Sequence, residues 1–344
     1  VAKTRTGSVR LASPMTEIYA ELRDLSPDQR ELMLVMLEKQ GVDLGRLPIP
    51  KRPSVNSAPM SASQMRLWTM DRLSSGLPTE NVPVAIELEG PINTEAIVRS
   101  INLLIERHKL LRTTFHEEGE RLEQRIHEFA PVEVELIDLE RQGAGSPEVV
   151  NAALVEHGSV LFDLEADSLL RPALFRISDE SRILLLTFHQ LVVDGWAVNV
   201  FLQQLSDAYA EFCADSTPDT DAPAIQYADM AAWESDGWED KLIAGQVDYW
   251  VEQLRGAPAI LELPVGRPRP SVPDFSGALC LFNIPDKQTN ALRELVRQEG
   301  VTMFTGVLAT LKVLLAAYTG QPDIVVGTLV SRRGRTEAEA MLGN

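Results

Sequence analysis

Hydrophobic and polar positions along this chain predict alternating strands and helices from residue 60 onward. Val84, Ile86 and Leu88 alternate with smaller or charged residues, as in a half-buried strand. Asn93 is then in position to cap a helix whose apolar residues recur at three- and four-residue spacing. Similar patterns predict strands at 113–116, 122–126, 132–136, 174–177 and 324–326, and helices at 149–157, around 292–296 and at 302–318. The order of elements predicts an α/β (α+β) fold.

The stretch from 183 to 201 is the most informative part of this pattern. Residues 183–188 form a continuous apolar run of strand length, which predicts a strand buried on both faces. His189 and Gln190 follow, and Asp194 and Gly195 open an amphipathic helix. A histidine at such a strand-to-helix corner lies beside unpaired helix N–H groups, where reacting groups can reach it. The alternative is a core histidine that a neighbouring carbonyl satisfies.

The first 55 residues read as a helix followed by a proline-rich linker or docking segment. Ser26, Pro27 and Gln29 form a capping-box signature, so we expect a helix from Pro27 to about Gln40. Residues 47–53 then carry three prolines, which favours an extended, stiff linker. A chain that begins in this way, without an initiator methionine, reads as an excerpt from a longer polypeptide.

Composition narrows the function classes. The chain has 344 residues, of which 44% are apolar and 24% charged, so it has the length for two domain-sized cores. Its net charge of −18 disfavours nucleic acid and anionic membranes as partners. No apolar run reaches the roughly 20 residues of a membrane span, and the start lacks a secretory signal, so we expect a cytoplasmic protein. Cys213 and Cys280 are expected to be reduced, buried thiols.

Several common kinds of site are excluded by their missing residues. The trio at 116–118, His-Glu-Glu, lacks the second histidine of a zinc protease. The aspartates of the polar loop 214–223 lack the glycine and the final glutamate of an EF-hand. Neither a glycine-rich phosphate loop nor a Gly-x-Ser-x-Gly elbow occurs in a matching context. We therefore predict no metal site and no nucleotide site.

Five motifs in a fixed order carry a family resemblance. One is the stretch 189–195, and the others are Ser-Ala-Ser-Gln-Met-Arg-Leu-Trp at 61–68, Arg-His-Lys-Leu-Leu-Arg-Thr-Thr-Phe at 107–115, Tyr-Ala-Asp-Met-Ala-Ala-Trp at 227–233 and Val-Gly-Thr-Leu-Val-Ser-Arg-Arg at 326–333. Over residues 20–344 the chain resembles the condensation domains of nonribosomal peptide synthetases, which belong to the chloramphenicol-acetyltransferase-like superfamily. Ser63 stands where the family motif has alanine, and Leu329 stands where it has proline.

The resemblance implies two chloramphenicol-acetyltransferase-like lobes that form a V-shaped pseudo-dimer with a tunnel between them. The polar loop at 214–223 suggests the lobe boundary, so we expect residues 56–223 to form the N-terminal lobe and residues 224–344 the C-terminal lobe. By this resemblance, the second lobe of the family's domains continues beyond the position that corresponds to Asn344. The second lobe is therefore expected to be incomplete and unable to close its sheet.

The resemblance also implies roles for single residues. The family's signature is His-His-x-x-x-Asp-Gly, and here it reads His-Gln-Leu-Val-Val-Asp-Gly, so Gln190 stands where the family has its catalytic histidine. His189 is expected to support the loop, Asp194 to pair with Arg333 across the lobes, and Gly195 to let the backbone approach the ligand. The remaining positions that we expect to support the site are Trp196, Arg66 and Arg112.

The implied reaction moves a carrier-bound acyl or peptidyl thioester to the amine of a carrier-bound acceptor and forms an amide. Both substrates are carried on phosphopantetheine arms, so the expected partners are donor and acceptor carrier proteins and neighbouring synthetase domains, with no tightly bound cofactor. Loss of a general base costs about 10²–10⁴-fold in rate. A glutamine amide that donates to the oxyanion can supply part of that factor, since one such donor is worth roughly 10²–10³-fold. Reduced activity is the prediction.

Two alternatives stay open at this point. One is a non-catalytic relative that recruits a carrier or tailoring protein, which the glutamine at position 190 favours and the retained Asp194, Gly195 and Trp196 disfavour. The other is a variant acyltransferase that forms esters or acts on a polyketide-derived chain, as in a hybrid pathway. Amide formation in peptide-antibiotic biosynthesis and these two alternatives require different chemistry of the side chain at position 190.

Overall fold

The computed structural model describes residues 27–40, 49–52, 56–74, 76–119, 121–140, 146–235, 240–266, 278–329 and 336–344. The strands in these ranges are β1 (Ser57–Pro59), β2 (Asn81–Glu89), β3 (Thr113–Glu118), β4 (Arg121–Ile126), β5 (Glu135–Asp138), β6 (Leu170–Arg176) and β7 (Ser181–His189). The helices are α1 (Pro27–Lys39), α2 (Ala62–Leu73), α3 (Thr94–Arg107), α4 (Pro147–Gly158), α5 (Gly195–Cys213), α6 (Tyr227–Ser235), α7 (Asp240–Gln253), α8 (Asp286–Gln298), α9 (Met303–Thr319) and α10 (Thr336–Glu339).

The strands form two sheets. One has the order β1-β4-β3 and is antiparallel throughout, with the predicted strands β3 and β4 joined as a hairpin. The other has the order β2-β7-β6-β5, in which only β5 and β6 run parallel. Strand β7 is therefore an inner strand, and residues 183–189 are all buried. This burial on both faces is what the continuous apolar run predicted.

Helices α3 and α5 pack together over the second sheet and close the main core. Their buried faces follow the predicted spacing, with Ile101 and Leu104 on α3 and Phe201 on α5 completely buried. The rings of Phe188 on β7 and Phe201 meet edge to face with 5.2 Å between their centroids, a geometry worth about 0.5–1.5 kcal/mol beyond area burial. The end of β7 and the start of α5 are thereby held by the same core.

The helix starts also agree with the sequence. The side chain of Asn93 accepts a hydrogen bond from the backbone N–H of Ala96, and α3 begins directly after Asn93, at Thr94. Helix α1 begins at Pro27 as predicted. The strand expected at 132–136 lies slightly later, at Glu135–Asp138. Local capping signals therefore predicted helix starts more closely than alternation predicted a short edge strand.

The described residues fall into two compact units, one comprising residues up to 235 together with 336–344, the other lying within 240–329. The described part of the second unit contains α7, α8 and α9 and no strand. The prediction of a strand at 324–326 is therefore wrong: Ile324 is buried, but Val325 is exposed. A strand needs a neighbour for its backbone N–H and C=O groups, and no described residue of this unit offers one.

The unit boundary differs from the predicted lobe boundary at 223/224. Helix α6 belongs to the first unit, because Tyr227, Met230 and Trp233 are buried in its core. The division into residues 1–55, 56–223 and 224–344 remains a prediction.

Both cysteines lie at the surface. Cys213 and Cys280 are free and exposed, so the expectation of buried thiols is wrong. Cys213 is the last residue of α5.

Among the described residues no single helix has the length and hydropathy to cross a membrane, although α8 and α9 pass that test as a pair bent by 111°.

Candidate functional site

The motif loop, residues 189–195, connects β7 to α5. His189 ends β7 and is 1% exposed. Its Nδ1 accepts a hydrogen bond from the backbone N–H of Leu191 at 3.1 Å, and its Nε2 lies 3.4 Å from Oδ1 of Asp71. Since Nδ1 accepts, Nε2 is the nitrogen that can donate, and it faces the Asp71 carboxylate. Both ring nitrogens are engaged, and the edge of the ring meets Phe162.

This geometry matches the second of the two interpretations of His189, a buried histidine that its neighbours satisfy. A ring with no free nitrogen is poorly placed to take a proton from a substrate. It is well placed to shape the turn, because its bond to Leu191 closes the chain back on itself just after the strand. The role of loop support, inferred from the resemblance, remains a prediction with this contact behind it.

Gln190 is held by its backbone. Its N–H donates to the carbonyl of Glu80 at 2.8 Å, and its carbonyl accepts from Nδ2 of Asn344 at 3.1 Å. The residue is half-buried, and no described residue hydrogen-bonds its side chain. The amide is therefore available to a ligand both as donor and as acceptor, but it has no basic nitrogen that could accept a proton.

Asp194 caps α5 by accepting a hydrogen bond from the backbone N–H of Ala197 at 2.6 Å. Its expected partner Arg333 lies outside the described residues, so that ion pair remains a prediction. Gly195 is the first residue of the helix, and a Cβ built on it would meet no atom of the described residues within 4 Å. The backbone at the start of α5 thus has open space beside it.

Three further residues were expected to support the site. Trp196 is 51% exposed beside the motif loop, and its Nε1 donates to the carbonyl of Glu339 at 2.9 Å. Arg66 is exposed on α2, and Arg112 donates to the carbonyl of His127 at the end of the β3–β4 hairpin. Within the described part of the chain neither arginine forms a hydrogen bond or ion pair with the motif loop. Their supporting role rests on the resemblance alone.

The structure adds residues that sequence reasoning did not select. A hydroxyl cluster joins two of the motifs: the Tyr227 hydroxyl lies 2.9 Å from Oγ of Ser61 and 3.2 Å from Oγ of Ser63. The backbone oxygen of Asn344 accepts from Ser63 and from Tyr227. Both motifs were visible in the sequence, but nothing in their residue types indicates that they meet behind the motif loop.

The first unit has an apolar cavity of about 240 Å³, and the motif loop does not line it. That cavity lies around Ile86, Leu184 and Tyr209, toward the other end of β7. The described residues also contain no group of three or more His, Cys, Asp or Glu side chains that could hold a metal ion.

Comparisons with known proteins agree with the motifs. The family model described as Condensation domain matches residues 55–344. The linear gramicidin synthase of Brevibacillus parabrevis includes a polypeptide that is 38% identical over 297 residues, which is 86% of this chain and 4% of that polypeptide. The phosphinothricin tripeptide synthetase PhsC of Streptomyces viridochromogenes is 34% identical over 337 residues, which is 96% of this chain and 30% of that protein. The chain thus spans a small part of each relative.

Solved structures give the same result for the fold. The X-domain from teicoplanin biosynthesis is similar with a TM-score of 0.76 and 29% identity over 86% of this chain and 65% of that one. The X-domain in its complex with OxyB gives a TM-score of 0.76 and 30% identity over 87% and 65%. The predicted α/β fold of the chloramphenicol-acetyltransferase-like type is confirmed.

Proposed function

This chain belongs to the condensation-domain family of nonribosomal peptide synthetases, and from that membership we propose that it forms an amide bond between carrier-bound substrates. The donor is an acyl or peptidyl thioester, and the acceptor is the amine of a second carrier-bound residue. Both arrive on phosphopantetheine arms of carrier proteins, and neighbouring synthetase domains are the remaining partners. The observation that carries the proposal is the motif loop, whose backbone is fixed at residue 190 while the side chain is left for a ligand.

The reaction needs no redox partner. The acceptor nitrogen attacks the thioester carbonyl, a C–N bond forms, and the C–S bond breaks to release the donor arm as a thiol. The proton lost from the amine ends on the thiolate, directly or through water. In this proposal the Gln190 amide holds the attacking amine through its oxygen or donates to the developing oxyanion through its nitrogen. The amide cannot accept the proton that the attacking amine loses, whereas a histidine could accept it as a general base.

The other residues of the motif loop have supporting roles in this proposal. His189 fixes the turn through Leu191, and Asp194 caps the helix and pairs with Arg333. Gly195 and Trp196 border the open space at the start of α5. The pairing with Arg333 is structural in character, so its loss should impair folding as much as chemistry.

The test compares three forms of the chain: the parent, Gln190→His and Gln190→Ala. Donor and acceptor carriers are loaded, and product is followed by intact-protein mass spectrometry with both an amine and a hydroxyl acceptor. We expect amide formation by the parent, faster transfer by about 10²-fold or more in Gln190→His because a general base is restored, and slower transfer in Gln190→Ala. A parent as fast as Gln190→His would contradict the assigned cause of the reduced rate. Preference for the hydroxyl acceptor would favour the ester-forming alternative.

A second candidate function is recruitment without catalysis. Two observations favour it: the glutamine at position 190, and the similarity to an X-domain that was solved in complex with OxyB. In that case the parent and Gln190→Ala would both be inert with every substrate pair, although their folds are intact. Transfer by the parent that falls in Gln190→Ala would exclude it.

A further inference from the structure

We propose that Asn344 is a positioning residue for position 190: its side-chain amide fixes the backbone from which Gln190 presents its own amide. The proposal rests on the transfer reaction proposed above and goes beyond it by naming a residue outside the signature motif. It starts from one juxtaposition. The side chain of Asn344 lies against the motif loop, 154 residues away in sequence.

The contact closes the turn of the motif loop. Nδ2 of Asn344 is 3.1 Å from the carbonyl oxygen of Gln190 and 3.5 Å from that of Val193. One amide group carries two protons, so it can donate to both carbonyls at once. Together with the bond from the Gln190 N–H to Glu80, this leaves both backbone polar groups of residue 190 engaged. The direction in which its side chain leaves the backbone is then set.

Asn344 is itself held in place. Its backbone oxygen accepts from Ser63 and Tyr227, both of which lie in other motifs. The preceding Gly343 has a φ of 150°, and a Cβ built there would lie 1.9 Å from Cδ2 of Tyr227. Only glycine fits this position, on backbone conformation and on space. Leu342 is 1% exposed, so the segment is packed on the hydrophobic side as well.

The arrangement requires a donor at position 344. Aspartate has nearly the same shape, but its carboxylate offers only acceptors and would face two carbonyl oxygens. Alanine removes the donors without adding repulsion. If the contact positions residue 190, the aspartate variant must therefore be worse than the alanine variant. A purely space-filling role predicts the opposite order, because aspartate conserves the volume.

Displacement of a catalytic group by about 1 Å can lower a rate by about 10²-fold. We therefore expect Asn344→Asp to lower the transfer rate constant by about 10²-fold and Asn344→Ala by about 10-fold, with KM within about threefold in both. The same two changes should be measured in the Gln190→His background. The ratios should be similar there, because the amide acts on the backbone and not on the side chain.

A matched control exists on α3. Nδ2 of Asn102 donates to the carbonyls of Val98 at 3.0 Å and Val132 at 3.1 Å, the same kind of double contact outside the motif loop. Asn102→Asp should lower stability without changing the transfer rate of the folded fraction. A change in rate equal to that of Asn344→Asp would mean that general destabilisation, not positioning, is being measured.

Hydrogen exchange gives a readout that does not need activity. The amides of Gln190, Leu191 and Val192 are all hydrogen-bonded in the motif loop, and we expect them to exchange at least about tenfold faster in Asn344→Asp than in the parent or in Asn102→Asp. Unchanged exchange would overturn the anchor. Faster exchange with an unchanged rate would overturn the positioning role. If every form is inert, the proposed function fails, and the exchange result alone decides whether Asn344 holds the loop.

Discussion

The end of strand β7 and the turn that follows it are adjacent in sequence, yet their side chains are held in opposite ways. At His189 the side chain is buried and both ring nitrogens are engaged. At Gln190 the backbone is engaged and the side chain makes no hydrogen bond within the described ranges. If Gln190 acts as proposed, the signature motif separates support from chemistry within two residues. Replacing the second histidine by glutamine leaves the support in place, so fold and activity should respond to different substitutions.

The largest expected effect tests this separation directly. His189→Ala removes a buried ring, leaves the N–H of Leu191 without its acceptor and opens a cavity beside Phe162, so we expect a loss of about 3–5 kcal/mol in the free energy of unfolding. Gln190→Ala should stay within about 0.5 kcal/mol, because a half-buried side chain without bonds contributes little. Urea unfolding followed by circular dichroism measures both. Equal losses in the two variants would remove the distinction between the two positions.

A second buried histidine, His108, supports the fold in a way that can be tested through the pH dependence of stability. His108 is 2% exposed, and its Nε2 lies 2.8 Å from Oε1 of Gln204 on α5. Burial lowers its pKa to about 4, while the bond to Gln204 acts in the opposite direction. Between that value and its ordinary pKa of 6.5 the unfolded chain binds the proton and the folded chain does not. Stability is therefore complete above pH 6.5 and is lost as the pH falls toward 4.

The expected loss from this group is about 3 kcal/mol between pH 7 and pH 4, since one pKa unit corresponds to about 1.4 kcal/mol. In His108→Gln, where the neutral side chain can still donate to Gln204, the pH dependence should be smaller by that amount. Urea unfolding at a series of pH values measures the difference, and the carboxylates common to both forms cancel. Parallel curves for the two forms would show that His108 does not titrate on unfolding. The variant also gives a background in which pH profiles of transfer can be measured on a folded chain.

The sequence predicted what depends on neighbours along the chain. Strand β7 and helices α3 and α5 follow from apolar spacing and from capping residues such as Asn93 and Asp194, because those signals lie within a few residues of each other. The motif order predicted the family, and the glutamine at position 190 indicated where this chain departs from the family's signature. Both kinds of information are local.

The contacts that shape the motif loop are not local. Asp71 reaches His189 over 118 residues, and Asn344 reaches Gln190 over 154. No period or capping signal indicates such a partner, so neither residue could be selected from the sequence. The failed strand at 324–326 has the same cause, since an apolar run of that length becomes a strand only beside another strand. Exposure of Cys213 was missed because residue type alone does not reveal which side of the core a helix end faces.

A smaller effect on stability, and one of opposite sign, is expected at the start of α5. Within the part of the chain that the structure describes, a Cβ at Gly195 meets no atom within 4 Å. Alanine restricts the unfolded chain more than glycine does, so Gly195→Ala should raise the free energy of unfolding by up to about 0.5–1 kcal/mol. If the ligand approaches this backbone as proposed, the added methyl group occupies its space and the transfer rate falls. Thermal unfolding and the loaded-carrier assay measure the two effects on one sample.

Gly158→Ala at the end of α4 is the matched control, because a Cβ there would lie 3.1 Å from Cβ of Pro83. It should lower stability and leave transfer by the folded fraction unchanged, which is the reverse of the result expected for Gly195→Ala. A Gly195→Ala chain that is more stable and transfers at the parent rate would mean that the space beside α5 is not used by the ligand. A Gly195→Ala chain that is more stable and slower would show that the first residue of α5, like Gln190, serves transfer and not stability.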